Sequence, residues 1–253
     1  MPATLQVEDV ADGVRALTLS HPERKNALDA GFLDALEEAL GQGSGVRAWL
    51  VRGAGDGIFS AGYDLTALNG FPPGSPLPDE RLGHVLDRLT FHPAPSVALV
   101  TGLAVGAGCE LAAACDFRVG SSTAKFSMPP SKLGVVYALK GLRRLASRVG
   151  EQAARRMFLT GRPVDAESAA RLGLLDVLAA DAGTQALALC SELAANAPLA
   201  VQGMKRGFQL LGGAGEADLE GYEVLRRASF NSEDAREGKD ALLSRRAPLF
   251  RGR

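Results

Sequence analysis

The stretch Thr101-Gly-Leu-Ala-Val-Gly-Ala-Gly-Cys-Glu-Leu111 follows a short apolar run, Ser96 to Val100, and leads into a helix predicted from Ala107 to Ala114. The apolar run is typical of a buried strand. The helix consists almost wholly of small apolar residues, which indicates packing on every side. A buried strand that passes through glycines into a buried helix predicts an α/β core.

Alternating strands and helices continue on both sides of this stretch. The N-terminal half predicts a β-hairpin of Leu5 to Val10 and Val14 to Leu19, followed by a helix that Asp29 caps and that ends near Leu40. A second helix is predicted at Pro78 to Phe91, and further strands at Val46 to Val51, Phe117 to Val119 and Lys125 to Ser127. From Lys140 onward the pattern predicts helices at 140–149, 151–159, 165–172, 183–195, 198–211, 216–230 and 233–244. The expected fold class is therefore α/β with a helical C-terminal region.

Composition limits the classes of function. The 253 residues are 46% hydrophobic and 23% charged, which is typical of a globular protein. Lys plus Arg (28) nearly equals Asp plus Glu (29), and this balance argues against a nucleic-acid partner. Three cysteines and three scattered histidines predict neither a disulfide framework nor a metal site. Charges interrupt the apolar runs from Met1 to Leu19, so no membrane partner is expected and a reduced, cytoplasmic protein is predicted.

Two strand-to-turn junctions are candidates for chemistry. One is Phe59 to Leu65 and the other is Gly106 to Glu110. Small residues let a ligand approach the backbone, and a helix N-terminus has unpaired N–H groups. Two such groups from different segments would stabilise an oxyanion on a carbonyl. Each junction is equally well explained, taken alone, as a tight turn.

Glu110 is the candidate acid–base residue, because its sequence neighbours are all apolar or small. A buried carboxylate is costly unless it serves a purpose, and burial raises its pKa toward the range suited to proton transfer. The alternative is a first-turn acid that favours the helix dipole. Cys109 is better explained as a small core residue than as a nucleophile. The turn from Gly53 to Gly57 lacks the spacing of a dinucleotide site.

The junctions and several other motifs together resemble the enoyl-CoA hydratase/isomerase, or crotonase, family. The matching segments follow in family order over nearly the whole chain and lie at 17–28, 59–65, 101–111, 124–126, 132–134, 160–162, 169–173 and 232–238. The resemblance implies a spiral of ββα units over residues 1–195, which carries an acyl-CoA site. It also implies a helical region over 196–253 that serves oligomerisation and covers the CoA site, with homotrimers or homohexamers as the assembly.

The resemblance further implies an acyl-CoA thioester substrate, with no separate cofactor and no metal. It places the two oxyanion donors at the backbone N–H groups of Tyr63 and Ala107. The loop at 69–78 would line the acyl end. The substrate-binding residues implied are Lys25, Ala27, Ala61, Tyr63, Asp64, Leu65, Thr66 and Ala107.

One departure from the family affects the expected reaction. Hydratases of this family carry a second catalytic glutamate where this chain has Pro130, and proline transfers no proton. Tyr137 supplies a hydroxyl nearby, and a packed aromatic ring is the simpler explanation for it. Three functions stay open: a hydratase/isomerase using Glu110; an enolate enzyme without hydration, such as an isomerase, decarboxylase or thioester hydrolase; and a non-catalytic acyl-CoA-binding protein.

Overall fold

The computed structural model describes residues 4–55, 57–64, 77–211, 213 and 215–253. The strands are β1 (Thr4–Ala11), β2 (Val14–Ser20), β3 (Ala48–Gly53), β4 (Ile58–Ser60), β5 (Ser96–Val100), β6 (Leu103–Val105), β7 (Phe117–Gly120), β8 (Lys125–Ser127), β9 (Val164–Asp165) and β10 (Val177–Leu178). The helices are α1 (Ala30–Gly41), α2 (Pro78–Thr90), α3 (Ala107–Ala114), α4 (Leu139–Thr160), α5 (Ala166–Arg171), α6 (Ala182–Ala195), α7 (Pro198–Leu210), α8 (Glu216–Phe230) and α9 (Glu233–Leu243). Short 3-10 turns lie at Pro22–Arg24 and Pro130–Lys132.

Within the described residues, the strands form two sheets. One has six strands in the order β1-β2-β3-β5-β7-β10, and the other has four in the order β4-β6-β8-β9. Neighbouring strands are parallel except in the β1–β2 hairpin and the β8–β9 pair. The α/β prediction is confirmed.

A repeated ββα unit connects the two sheets. In each repeat the first strand joins the six-stranded sheet, the second joins the four-stranded sheet, and a helix follows; the repeats are β3-β4-α2, β5-β6-α3 and β7-β8-α4. This is the architecture that the resemblance implies. Because β4, β6 and β8 are parallel neighbours, their carboxyl ends lie along one edge of the four-stranded sheet.

Both faces of the six-stranded sheet are covered, as a parallel sheet requires. Trp49 and Val51 of β3 point into the main core, which also contains residues of α1 to α4. Ala48 and Leu50 point to the opposite face, against Cys190 and other residues of α6. The alternation has the period of two that a strand imposes.

The C-terminal helices confirm their predicted positions to within two residues. Gly150 has φ +75° inside α4, so α4 consists of two helical segments, as the sequence predicts. Lys205 of α7 is buried, and its Nζ donates to Asp116 Oδ2 at 2.6 Å, which ties the C-terminal region to the core. Among the described residues, no helix combines the length and the apolar character that crossing a lipid bilayer would need.

Candidate functional site

Three backbone groups in the loop between β2 and α1 hold the chain that follows β4. The Leu28 N–H donates to the Gly62 carbonyl at 2.7 Å, and the Asp64 N–H donates to the Leu28 carbonyl at 2.9 Å. The Ala61 N–H donates to the Lys25 carbonyl at 2.9 Å. Backbone hydrogen bonds therefore hold the loop and the junction after β4 together as one unit.

Asn26 fixes the shape of that loop. Its side chain is buried; the Asn26 Oδ1 accepts from the His21 N–H at 2.9 Å, and its Nδ2 donates to the carbonyls of Ala54 and Ile58, each at 3.2 Å. Asn26 has φ +55°, a left-handed conformation that asparagine tolerates better than most residues. The buried Ser60 hydroxyl donates to the Asn26 carbonyl at 2.7 Å. The sequence motifs implicate its neighbours Lys25 and Ala27 and do not reveal this supporting role of Asn26.

The junction after β4 lies against the start of α3. Gly62 has φ +94°, and a Cβ at this position would lie 2.5 Å from the Val105 carbonyl oxygen and 3.3 Å from the Ala107 nitrogen. Only glycine permits this approach, since any other residue would be strained and would collide with backbone. The structure thus brings the Tyr63 and Ala107 segments together, as the sequence analysis expects.

The N–H groups of Tyr63 and Ala107 donate to no acceptor in the described part of the chain. Leu28 pairs with Tyr63 as an isolated parallel bridge that uses the Gly62 carbonyl and the Asp64 N–H. Tyr63 lies between Gly62 and Asp64, and in extended backbone its N–H points away from Leu28. Ala107 is the first residue of α3, and no side chain caps that helix at Gly106. Its N–H therefore has no acceptor within the helix.

Glu110 lies in the first turn of α3 and is 3% exposed. Burial raises the pKa of its carboxyl group above the usual value, while the Arg144 charge and the Tyr137 hydrogen bond act in the opposite direction. Asp79 of α2 adds a smaller upward shift to this pKa. The raised pKa agrees with the direction that the sequence analysis expects.

Tyr137 is both a packed aromatic ring and a hydrogen-bond donor. Its hydroxyl donates to Glu110 Oε2 at 2.6 Å, and its ring centroid lies 5.4 Å from that of Phe158. Burial, followed by the negative charge of Glu110, raises the pKa of Tyr137 well above its usual value. The hydroxyl therefore stays protonated at neutral pH and remains a donor.

Arg144 is the partner of Glu110 that the sequence analysis missed. Its Nη1 donates to Glu110 Oε1 in a buried ion pair. The sequence neighbours of Glu110 are apolar or small, but its neighbours in space include this arginine, because residues 34 positions apart in sequence meet here. One signal was available: Arg144 shares the buried face of α4 with Gly141, Leu145 and Val149. An arginine at helical spacing on an apolar face predicts a buried anionic partner.

The remaining candidates divide into three groups. Lys25, Ala27, Ala61 and Asp64 lie on the joined loop and junction, with Asp64 paired to Arg24. Leu65 and Thr66, and residues 69–76 of the expected acyl loop, lie outside the described residues. Cys109 is fully buried and burial raises the pKa of its thiol to about 12, so it is a core residue as predicted.

Comparison with known proteins identifies the family. The model of the enoyl-CoA hydratase/isomerase family matches residues 9–253 of this chain. The chain belongs to that family. Among enoyl-CoA hydratase/isomerase relatives, the 2,3-dehydroadipyl-CoA hydratase of Escherichia coli K12 is 34% identical over 249 residues, which cover 95% of this chain and 96% of that protein. The methylmalonyl-CoA decarboxylase of the same organism is 30% identical, over 94% of this chain and 95% of that protein.

A solved structure supports the same assignment. The crystal structure of an enoyl-CoA hydratase from Polaromonas sp. JS666 has a TM-score of 0.87 and 29% identity to this chain, and the match covers 98% of this chain and 99% of that chain. The fold that the enoyl-CoA hydratase/isomerase resemblance predicts is therefore confirmed. These relatives are named for different reactions, a hydration and a decarboxylation. Family membership alone therefore does not determine the reaction of this chain, which must be inferred from the geometry of its own site.

Proposed function

We propose that this protein is an enzyme that converts acyl-CoA thioesters through a thioester enolate, with Glu110 as the acid–base residue. The observation that carries the proposal is the position of Glu110: a buried carboxyl group with a raised pKa, in the first turn of a helix whose first N–H lies against Gly62. The site thus combines a group that exchanges protons with backbone donors close by.

The backbone N–H groups of Tyr63 and Ala107 are the proposed oxyanion donors. Enolate formation moves negative charge onto the thioester oxygen, and two fixed donors stabilise that charge as it develops. The glycines on either side support this role because they let a thioester lie close to the backbone. Lys25, Ala27, Ala61, Asp64, Leu65 and Thr66 are proposed to border the CoA part of the substrate.

A single catalytic carboxylate favours proton transfer over ordinary two-acid hydration. Pro130, which we place where hydratases of the family carry their second glutamate, is buried in the 3-10 turn after β8. One carboxylate is able to remove a proton from one carbon and return it to another, which moves a double bond. A well-placed acid–base group contributes about 10²–10⁴-fold, so hydration without the second acid would be slow but measurable.

Decarboxylation is the second candidate, and the donors on Glu110 favour it because they oppose proton uptake by this carboxylate, which the first step of a decarboxylation does not need. Both Glu110 oxygens already accept a hydrogen bond, one from Tyr137 and one from Arg144. In a decarboxylation the bond from C2 to the carboxylate breaks, its electron pair forms the enolate, and CO2 leaves. No base is required; the enolate then takes one proton at C2, for which the Tyr137 hydroxyl is the proposed source, and the Tyr137 phenolate left behind regains a proton from water. The 30% sequence identity to a methylmalonyl-CoA decarboxylase also supports decarboxylation.

We also propose that the chain assembles as a homotrimer or homohexamer. Large apolar side chains are exposed on the C-terminal helices, with Phe208 at 74%, Leu211 at 81% and Phe230 at 77%. Exposed apolar side chains that recur over neighbouring helices are typical of an interface between subunits.

A thioester panel with products identified by mass separates these functions. The panel contains crotonyl-CoA for hydration, a 3-enoyl-CoA for isomerisation, methylmalonyl-CoA for decarboxylation and butyryl-CoA for hydrolysis. We expect turnover of the 3-enoyl or the 2-carboxyacyl thioester to exceed hydration of crotonyl-CoA. Binding of all four by calorimetry without conversion of any would instead support a non-catalytic acyl-CoA-binding protein.

A further inference from the structure

The Arg144 side chain is divided between two carboxylates on different helices. Its Nη1 donates to Glu110 Oε1 of α3, and its Nη2 donates to Asp87 Oδ1 of α2 at 2.7 Å. Lys140, one turn earlier on α4, donates from Nζ to Asp87 Oδ2 at 2.6 Å. The Arg144 side chain is 8% exposed and that of Asp87 is 26% exposed. The linked ion pairs therefore lead from the buried Glu110 carboxyl group toward solvent.

This division leaves Glu110 with one donor on each oxygen. Arg144 holds Oε1 and the Tyr137 hydroxyl holds Oε2. A carboxylate oxygen has two lone pairs, so each oxygen keeps one for a proton. An arginine that bound Glu110 through both nitrogens would compete with Tyr137 for Oε2, and Asp87 opposes this by holding the second nitrogen.

The charges around Glu110 determine which protonation state it adopts. Burial favours the neutral acid, which donates a proton but accepts none. The guanidinium group stays charged in proteins, so Arg144 favours the carboxylate, whereas the nearby anions oppose it. The charged and titratable groups that face Glu110 or its partner are Arg144 and Lys140 of α4, Tyr137 before α4, Asp79 and Asp87 of α2, and Cys109 of α3.

We propose that Arg144 is a positioning residue that holds one oxygen of Glu110 and keeps this buried carboxyl group able to lose its proton, while Asp87 limits the strength of that hold. The inference rests on the proposed acid–base role of Glu110. It gives that role both directions, because the same carboxyl group must accept one proton and then donate it.

The test measures the ionisation of Glu110 itself and needs no substrate. Infrared spectra of protein labelled with ¹³C at the glutamate carboxyl groups are recorded against pH, and the Glu110 signal is obtained by subtracting the Glu110→Gln spectrum. In Arg144→Gln we expect the midpoint of Glu110 to rise by at least about one pH unit, since a nearby opposite charge shifts a pKa by about 1–3 units. In Arg144→Lys, which keeps the charge, the midpoint should stay closer to that of the parent.

Asp87→Asn provides an opposite and independent prediction. Removing this negative charge frees Arg144 for Glu110, so the Glu110 midpoint should fall. The matched control is Lys205→Gln, which breaks another buried ion pair, that with Asp116, and should lower stability without moving the midpoint. An unchanged midpoint in Arg144→Gln, or a rise in Asp87→Asn, would overturn the proposal, and the second result applies even if Arg144→Gln does not fold. A correct midpoint shift in a protein that converts no thioester would instead count against the proposed function alone.

Discussion

Gly141 of α4 lies directly against the Tyr137 ring, and a Cβ there would lie 2.8 Å from Tyr137 Cδ1 and 3.0 Å from Glu110 Cδ. The absence of a side chain at Gly141 therefore makes room for the hydrogen bond between Tyr137 and Glu110. Two residues from different segments meet only because a third contributes no atoms to the space between them.

Gly141→Ala should separate the Tyr137 hydroxyl from Glu110 and lower activity. Overpacking of this kind costs about 1–3 kcal/mol of stability. The control is Gly203→Ala in α7, where a Cβ would meet nothing within 4 Å. That change should raise stability by about 0.5–1 kcal/mol, because alanine favours a helix more than glycine. Urea unfolding and turnover are compared for both variants; equal behaviour would show that Gly141 has no special role.

Ala107→Pro removes one proposed oxyanion donor. Proline is tolerated at the first position of a helix, so α3 should survive the change. Losing one donor of an oxyanion hole typically lowers the rate by about 10²–10³-fold. The matched control is Glu216→Pro, which also follows a glycine and also occupies the first position of its helix, α8. Turnover unchanged in a folded Ala107→Pro variant would exclude the Ala107 N–H as a donor.

Glu237 should stabilise the fold in a pH-dependent way. Two hydrogen bonds from Arg246 and one from the Leu249 N–H lower the pKa of Glu237 to about 2. A group with a lowered pKa stabilises the folded state above its unfolded pKa, and this contribution disappears as pH falls toward the folded value. Glu237→Gln should therefore have a lower free energy of unfolding than the parent at about pH 7, and this difference should shrink between about pH 4.5 and pH 2.

Urea unfolding at several pH values measures this difference. The control is Glu192→Gln, an exposed residue of α6 whose carboxylate forms no ion pair with the described part of the chain. A stability difference for Glu237→Gln that does not change with pH would contradict the assignment.

Light scattering tests the proposed assembly. At micromolar concentration we expect a mass of three or six times the 26.4 kDa chain, because the apolar side chains of α7 and α8 would then be covered. Phe208→Glu together with Phe230→Glu should shift the mass toward the monomer, since charged groups are costly to bury at an interface. A monomeric parent protein would overturn the proposal.

The sequence was sufficient where local rules decide the structure. Helix α3 has the predicted bounds because glycine before a run of small apolar residues starts a buried helix, and the Asp29 side chain accepts from the Phe32 N–H as a predicted cap. Strands β4 and β6 were missed because each has three residues and borders glycines, so their pattern is that of a turn. Their pairing depends on neighbours that are distant in sequence.

The candidate site shows the same division. Burial of Glu110 followed from its apolar neighbours, whereas its ion pair with Arg144 depends on how α3 and α4 pack. The supporting hydrogen bonds of Asn26 likewise join segments about 30 residues apart, and no local pattern predicts them. Motifs indicated which residues are candidates for the site, and tertiary packing determined their partners.

Deuterium exchange at C2 of a thioester tests the central claim, enolate formation with Glu110 as the acid–base residue. The parent and Glu110→Gln are incubated in D2O with a panel of saturated acyl-CoA thioesters, and the mass of the recovered thioester is followed with time. We expect the parent to incorporate deuterium at C2 of at least one thioester and Glu110→Gln, which keeps the shape but transfers no proton, to lose about 10²–10⁴-fold of that rate. No exchange by the parent with any thioester it binds, or equal exchange by Glu110→Gln, would contradict the claim.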